Sequence, residues 1–139
     1  MIFKLEEEHL SVKEAAREFA KTRLKEGVIE RNSSMAYPTE FVKEMGEMGF
    51  LSMMTDPKYG GSGMDTLSYV LAMEEISKID SSCSVIMSVN NSLVLFGLEK
   101  YGTEEQKQKY IPRLTTGAEV GCFCLSEPEA GSDATSQRT

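Results

Sequence analysis

The sequence predicts a mainly α-helical fold that gives way, near its end, to the first strand of a β-domain. Three observations predict it. Apolar residues recur on a helical period through most of the chain, with caps and stop residues between the runs. One long apolar stretch, residues 83–98, exceeds the length of an ordinary strand. After residue 117 the pattern changes to a short β-branched and aromatic run, "VGCFCLS" (120–126), bounded by Gly121 and Pro128. The chain is therefore divided into a helical domain, residues 1–117, and the start of a β-domain, residues 118–139.

About five to six helices are expected on that spacing. Residues 5–25 place Val12, Ala15, Ala16, Phe19, Ala20 and Leu24 on one face, with charged residues on the other. Pro38 suits the first turn of a second helix, Phe41, Val42, Met45 and Met48 form its stripe, and Gly49 supplies a left-handed stop. "YGGSGMD" (59–65) lacks the third glycine of a dinucleotide loop and the Lys-Ser/Thr pair of a phosphate loop. It is a turn feeding a helix capped by Asp65 or Thr66, with Leu67, Val70, Leu71 and Ile76 inward and an end near Lys78.

Residues 83–98 carry apolar side chains on every face, the pattern of a helix buried all round. Asn90, Asn91 and Ser92 interrupt it. Buried amides need partners, so they either bond neighbouring backbone or mark a face that lines a ligand pocket. Thr103 and Gln106 form a capping box for a further helix, which Pro112 and Gly117 are expected to end. The nine methionines are core filler. Strand 120–126 cannot satisfy its own N–H and C=O groups, so the sheet it belongs to is expected to lie beyond this chain.

Composition narrows the function classes. With 139 residues, 40% apolar and 27% charged, the chain can bury a core. Its 22 acidic against 15 basic residues, net charge -7, argue against nucleic acid or an anionic membrane as partner. Cys83, Cys122 and Cys124 fit neither a disulfide framework nor a zinc site and suggest a reducing compartment. "MIFKLEEEHL" lacks the apolar core of a signal peptide, and residues 83–98, broken by the asparagines, fall short of a membrane span. A cytoplasmic location is expected.

"CLSEPEAGSD" (124–133) is the stretch that suggests chemistry. Gly131 lets backbone approach a ligand, and Ser126 and Ser132 offer hydroxyls. Glu127, Glu129 and Asp133 argue against a simple polyphosphate cradle. On these residues alone the loop is ordinary turn chemistry or a ligand loop after a strand.

This stretch resembles the first signature of the acyl-CoA dehydrogenases, flavoenzymes that desaturate acyl thioesters. "PKYGGSGMD" (57–65), "AMEEISKID" (72–80), "MSVNNSL" (87–93) and "YGTEEQKQKY" (101–110) stand where that family places similar phrases. "MSVNNSL" and "CFCLSEP" look most like its short-chain, butyryl-CoA-type members. Lys25-Glu26-Gly27 departs from the pattern, since many members place a proline there.

The resemblance implies an N-terminal helical domain, a middle β-domain begun at residues 118–139, and a C-terminal helical domain outside this chain. It implies FAD as cofactor, an acyl-CoA substrate oxidised to the trans-2-enoyl-CoA, an electron-transfer flavoprotein as acceptor, and a homotetramer. The backbone at Phe123 and Leu125 and the hydroxyl of Ser126 would contact the flavin ring, and Gly131 and Ser132 would approach the pyrophosphate, with Ser132 also near CoA. Leu93, Leu95 and Phe96 would border the acyl pocket and favour short chains. No position here matches the family's catalytic carboxylate. The isolated chain is therefore expected to be inactive and, lacking most cofactor walls, colourless. A stand-alone helical interaction module is the alternative.

Overall fold

The computed structural model describes residues 4–139. The first three residues of the expected 1–117 domain, and with them part of the stretch tested for a signal peptide, lie outside the described residues. Helix α1 (Glu7–Phe19) opens on a capping box in which His9 Nδ1 accepts from the Glu6 N–H at 3.0 Å. It continues as a π-helical segment, Ala20–Leu24. Gly27, at φ 69, turns the chain into α2 (Val28–Ser34). Helix α2 was not expected, because it contributes no buried residue and so shows no periodic apolar face.

Helix α3 (Thr39–Glu47) follows Pro38 and is stopped by Gly49 at φ 78, as the sequence predicts. Two 3-10 turns, Phe50–Ser52 and Pro57–Tyr59, lead through the glycine-rich turn to α4 (Thr66–Ser77). The Asp65 carboxylate caps α4 by accepting from the Ser68 N–H at 2.8 Å. Helix α5 (Ser81–Tyr101) is capped by Asp80 and contains a π-helical segment, Val89–Leu95. Helix α6 (Glu104–Thr115) starts on the predicted Thr103–Gln106 capping box.

The core forms where α1 lies along α4, and α4 and α3 meet the first turns of α5. Val12, Phe19, Leu24, Met45, Ile76 and Met87 are among the side chains that fill it, with the Phe19 and Phe50 rings 5.7 Å apart. A second cluster joins Tyr59, Leu95, Ile111 and Leu114. A buried carboxylate ties α1 to α4: Glu75 accepts from Arg17 Nε at 3.1 Å, and from Lys78 of its own helix end at 2.9 Å.

Several expectations require correction. Pro112 does not end its helix; α6 runs to Thr115. Near a helix end the missing N–H and strained turn can be accommodated, and the chain leaves at Gly117, φ 71. Val70 faces outward at 51% exposure. Helix α5 is not buried all round: Val85, Leu93 and Phe96 are exposed. At 21 residues it also exceeds the expected 83–98 run, and is long and apolar enough to cross a membrane. Its buried asparagines instead tie it into the protein core.

Residues 120–126 do not form the expected strand. Among the described residues no ladder includes them, because a strand exists only when a neighbour takes up its N–H and C=O groups. The one bridge nearby, Glu127 with Ala130, closes a turn around Pro128 and Glu129.

Candidate functional site

The two asparagines in the π-helical part of α5 organise the region where the site is expected. Asn91 Oδ1 accepts from the Met53 N–H at 2.7 Å, and its amide donates to Phe50 O at 2.8 Å and Met87 O at 2.9 Å. Asn90 donates to Leu51 O at 2.9 Å and Leu114 O at 3.1 Å, while its Oδ1 accepts from the Gly121 N–H at 3.2 Å. Both amides are fully engaged with backbone, and both side chains are buried. Of the two readings of this polar knot, the backbone-bonding one describes the amides. The helix face that lines a pocket is a different, apolar one.

Asn90 thereby fixes where residues 120–126 leave α6 and cross α5. Gly121 lies so close to α5 that a Cβ there would meet Val94 Cγ1 at 2.4 Å. The crossing leaves an open cleft of about 530 Å³ between α5 and this segment. Val85, Val89 and Leu93, spaced four apart along α5, form one wall. Val120 and Phe123 form the other, and Tyr37 also lines it. A larger cleft of about 830 Å³, between α2 and the start of α5, shares Tyr37, Val85 and Ile86 with it.

The cleft brings together two of the predicted site residues, Leu93 and Phe123. Leu95 is fully buried in the second core cluster beside Tyr59 and Ile111, and does not line the cleft. Phe96 is exposed, with the Lys100 ammonium 5.3 Å above its ring, and lies outside the cleft lining. Leu125, Ser126, Gly131 and Ser132 are all exposed beyond the cleft's edge. Sequence reasoning missed Tyr37, Val85, Val89 and Val120. The four-residue spacing along α5 carries the signal, but apolar residues on the helix's other faces mask it.

Electrostatics separate this cleft from the acidic loop. No ionisable carboxylate lines it. Glu127 instead turns to residues 138 and 139: its carboxylate accepts from the Thr139 hydroxyl and from the Arg138 N–H at 2.9 Å. The Thr139 hydroxyl, then the Arg138 N–H, hold its pKa below the usual carboxylate range. Asp133 is likewise held down by Ser136 and Thr135 hydroxyls, each at 2.5 Å. Glu129 pairs with Arg138 at 2.7 Å. These acids are spent within the loop.

The residues present suit one side of a flat aromatic cofactor. Phe123 and Leu125 expose apolar side chains, and no backbone–backbone bond takes up residues 120–126 among the described residues. Ser126 and Ser132 expose hydroxyls, and the Cβ direction of Gly131 opens into free space, with nothing within 4 Å.

The family model for the N-terminal domain of acyl-CoA dehydrogenases matches residues 6–118. The chain belongs to the acyl-CoA dehydrogenase family. It is 40% identical to the short-chain-specific acyl-CoA dehydrogenase of Clostridium acetobutylicum over all 139 residues, which make up 37% of that relative. Butyryl-CoA dehydrogenase from Megasphaera elsdenii superimposes with a TM-score of 0.92 at 36% identity, over 100% of this chain and 37% of that one. A chain from a structure described as the electron transferring flavoprotein of Acidaminococcus fermentans gives 0.93 at 42% identity, over 99% and 36%. Glutaryl-CoA dehydrogenase from Mycobacterium smegmatis, in complex with FADH2, gives 0.92 at 38% identity, over 97% and 35%. The chain thus spans about a third of the length of the relatives it matches. The fold of this acyl-CoA dehydrogenase segment is mostly helical, as predicted.

Proposed function

We propose that this chain supplies one wall of the flavin and acyl-thioester sites of an FAD-dependent acyl-CoA dehydrogenase that oxidises the Cα–Cβ bond of short acyl-CoA substrates to trans-2-enoyl-CoA. The observation that carries the proposal is the cleft of about 530 Å³ in which Leu93 of α5 faces Phe123 of the signature segment. Bound FAD would accept the β-hydrogen as hydride while a carboxylate takes the α-proton. In this reading the backbone at Phe123 and Leu125 and the hydroxyl of Ser126 would hold the ring, and Gly131 and Ser132 would hold the pyrophosphate, Ser132 also lying near CoA.

The chain's own residues bind, orient and exclude water; none is assigned as the base. A general base works best with a pKa near the working pH. Glu127, held below the carboxylate range by its two neighbours, is the opposite case. The apolar walls suit an acyl chain, and Leu93, at 43% exposure, offers its bulk directly to one. Leu95 and Phe96 act on that wall through α5 rather than by lining it. The same reading takes an electron-transfer flavoprotein as acceptor, a homotetramer as assembly and the cytoplasm as location. The relative solved under the description of an electron transferring flavoprotein supports the acceptor.

Anaerobic titration of the protein expressed from its complete reading frame tests the proposal. Flavin absorbance is expected to accompany the purified protein and to bleach with butyryl-CoA at lower concentration than with octanoyl-CoA. A flavin-free protein, or a flavin indifferent to both thioesters, would refute it.

A further inference from the structure

The segment 120–126 carries a pair of nucleophiles that the proposed function leaves unused. Cys122 and Cys124 are both exposed, and their Sγ atoms stand 3.8 Å apart. The segment is non-helical and makes no backbone–backbone bond among the described residues, and Cys-Phe-Cys brings the thiols together without help from another element. Cys83 behaves differently: it is fully buried, and burial pushes its thiol up to about 12. Among the described residues no group of three or more metal-ligating side chains forms, so the thiols are not part of a closed metal site. Two adjacent accessible thiols are suited to exchange chemistry.

We propose that Cys122 and Cys124 form a thiol–disulfide redox site, oxidised to an intrachain disulfide by a low-molecular-weight disulfide of the glutathione type. The Cys122 thiolate attacks one sulfur of glutathione disulfide, forming a mixed disulfide and releasing one glutathione, which takes up a proton. Cys124, losing its proton, then attacks the Cys122 sulfur, forms the Cys122–Cys124 bond and releases the second glutathione. Two electrons and two protons pass from the pair to glutathione disulfide, and a dithiol reductant reverses the sequence.

The order of attack follows from the contact between the thiols. The hydrogen bond to Cys122, and then its charge, push the Cys124 thiol up, which leaves Cys124 as the second attacker. Closing the bridge needs the sulfurs to move from 3.8 Å to about 2.05 Å and the backbone around Phe123 to bend, which a segment without backbone–backbone hydrogen bonds among the described residues permits. A bridge that spans a single residue on the surface is of the strained, accessible kind that is easily reduced again. It also clamps the backbone on both sides of Phe123, so the redox state of the pair is felt in the apolar cleft. The site does not depend on the flavin reading and is tested without it.

The test incubates the protein in glutathione buffers graded from reducing to oxidising, quenches with iodoacetamide, and maps the peptides by mass. At oxidising poise the expected product has lost two hydrogens, carries the link within the peptide holding Cys122 and Cys124, and returns to the dithiol with dithiothreitol. Cys83 is expected to alkylate only after unfolding. Cys122→Ser and Cys124→Ser, both at exposed positions, are each expected to hold one glutathione on the remaining thiol instead. Wild-type protein that accumulates glutathione adducts without the bridge, links two chains together, or stays reduced at every poise would overturn the proposal.

Discussion

Asn90 shows how one side chain fixes a site it does not line. Its amide satisfies two carbonyls from separate parts of the chain and holds the Gly121 N–H, all in a fully buried position. Asn90→Ala would leave those groups without partners, at a cost of about 1–3 kcal/mol for a buried polar group so stranded. Urea denaturation is expected to show a lower midpoint with an unchanged slope, and faster amide exchange at Gly121. The sequence makes the polar knot visible but not its partners, since Leu51, Leu114 and Gly121 meet only once the helices have packed. Glu75 is a second such residue. Its side chain is nearly buried, and the hydrogen bonds from Arg17, followed by Lys78, hold its carboxyl down at about 2 against burial. A lowered folded-state pKa stabilises the fold above the unfolded value near 4.5, and that contribution disappears as pH falls toward 2. Chemical denaturation across that range is expected to show stability falling with acid, and Glu75→Gln to flatten that part of the profile.

At the scale of elements, two helical glycines with the same local conformation do opposite work. Gly46 of α3 sits against the turn after α6, where an added Cβ would meet Thr116 O at 2.2 Å and Gly117 N at 2.6 Å. Gly97, inside α5, would direct a Cβ into open space, with nothing within 4 Å. Gly46→Ala is expected to destabilise by about 1–3 kcal/mol through overpacking against backbone, and Gly97→Ala to stabilise by about 0.5–1 kcal/mol through helix propensity. Thermal unfolding of the two variants checks both signs. Elements with a periodic apolar face or a side-chain cap were legible: α1, α3, α4 and α6 follow from their stripes, Gly49, Asp65 and the Thr103 box. Helix α2 offers no such stripe, and a strand at 120–126 depends on a partner that local pattern cannot supply. Apolar residues all round α5 hide its cleft-lining face in the sequence, because a high apolar content does not say which side another element covers.

For the whole molecule, the helices act as a frame that presents an apolar face of α5 to the signature segment. Asn90 and the close approach at Gly121 set the distance between them, and the cleft is the space that remains. The signature motif is visible in the order of the chain, whereas the pairing of Leu93 with Phe123 depends on the crossing of two elements. The cleft is proposed to receive the acyl chain. Leu93→Ala, in the protein expressed from its complete reading frame, tests it most directly, because Leu93 lines the cleft and is too exposed for its loss to unfold the core. A methylene in an apolar pocket discriminates by about 10-fold or more. The ratio of octanoyl-CoA to butyryl-CoA turnover, as kcat/KM, is therefore expected to rise by about that factor in the variant. A ratio unchanged from wild type, in a variant that keeps its flavin and its melting temperature, would contradict the account.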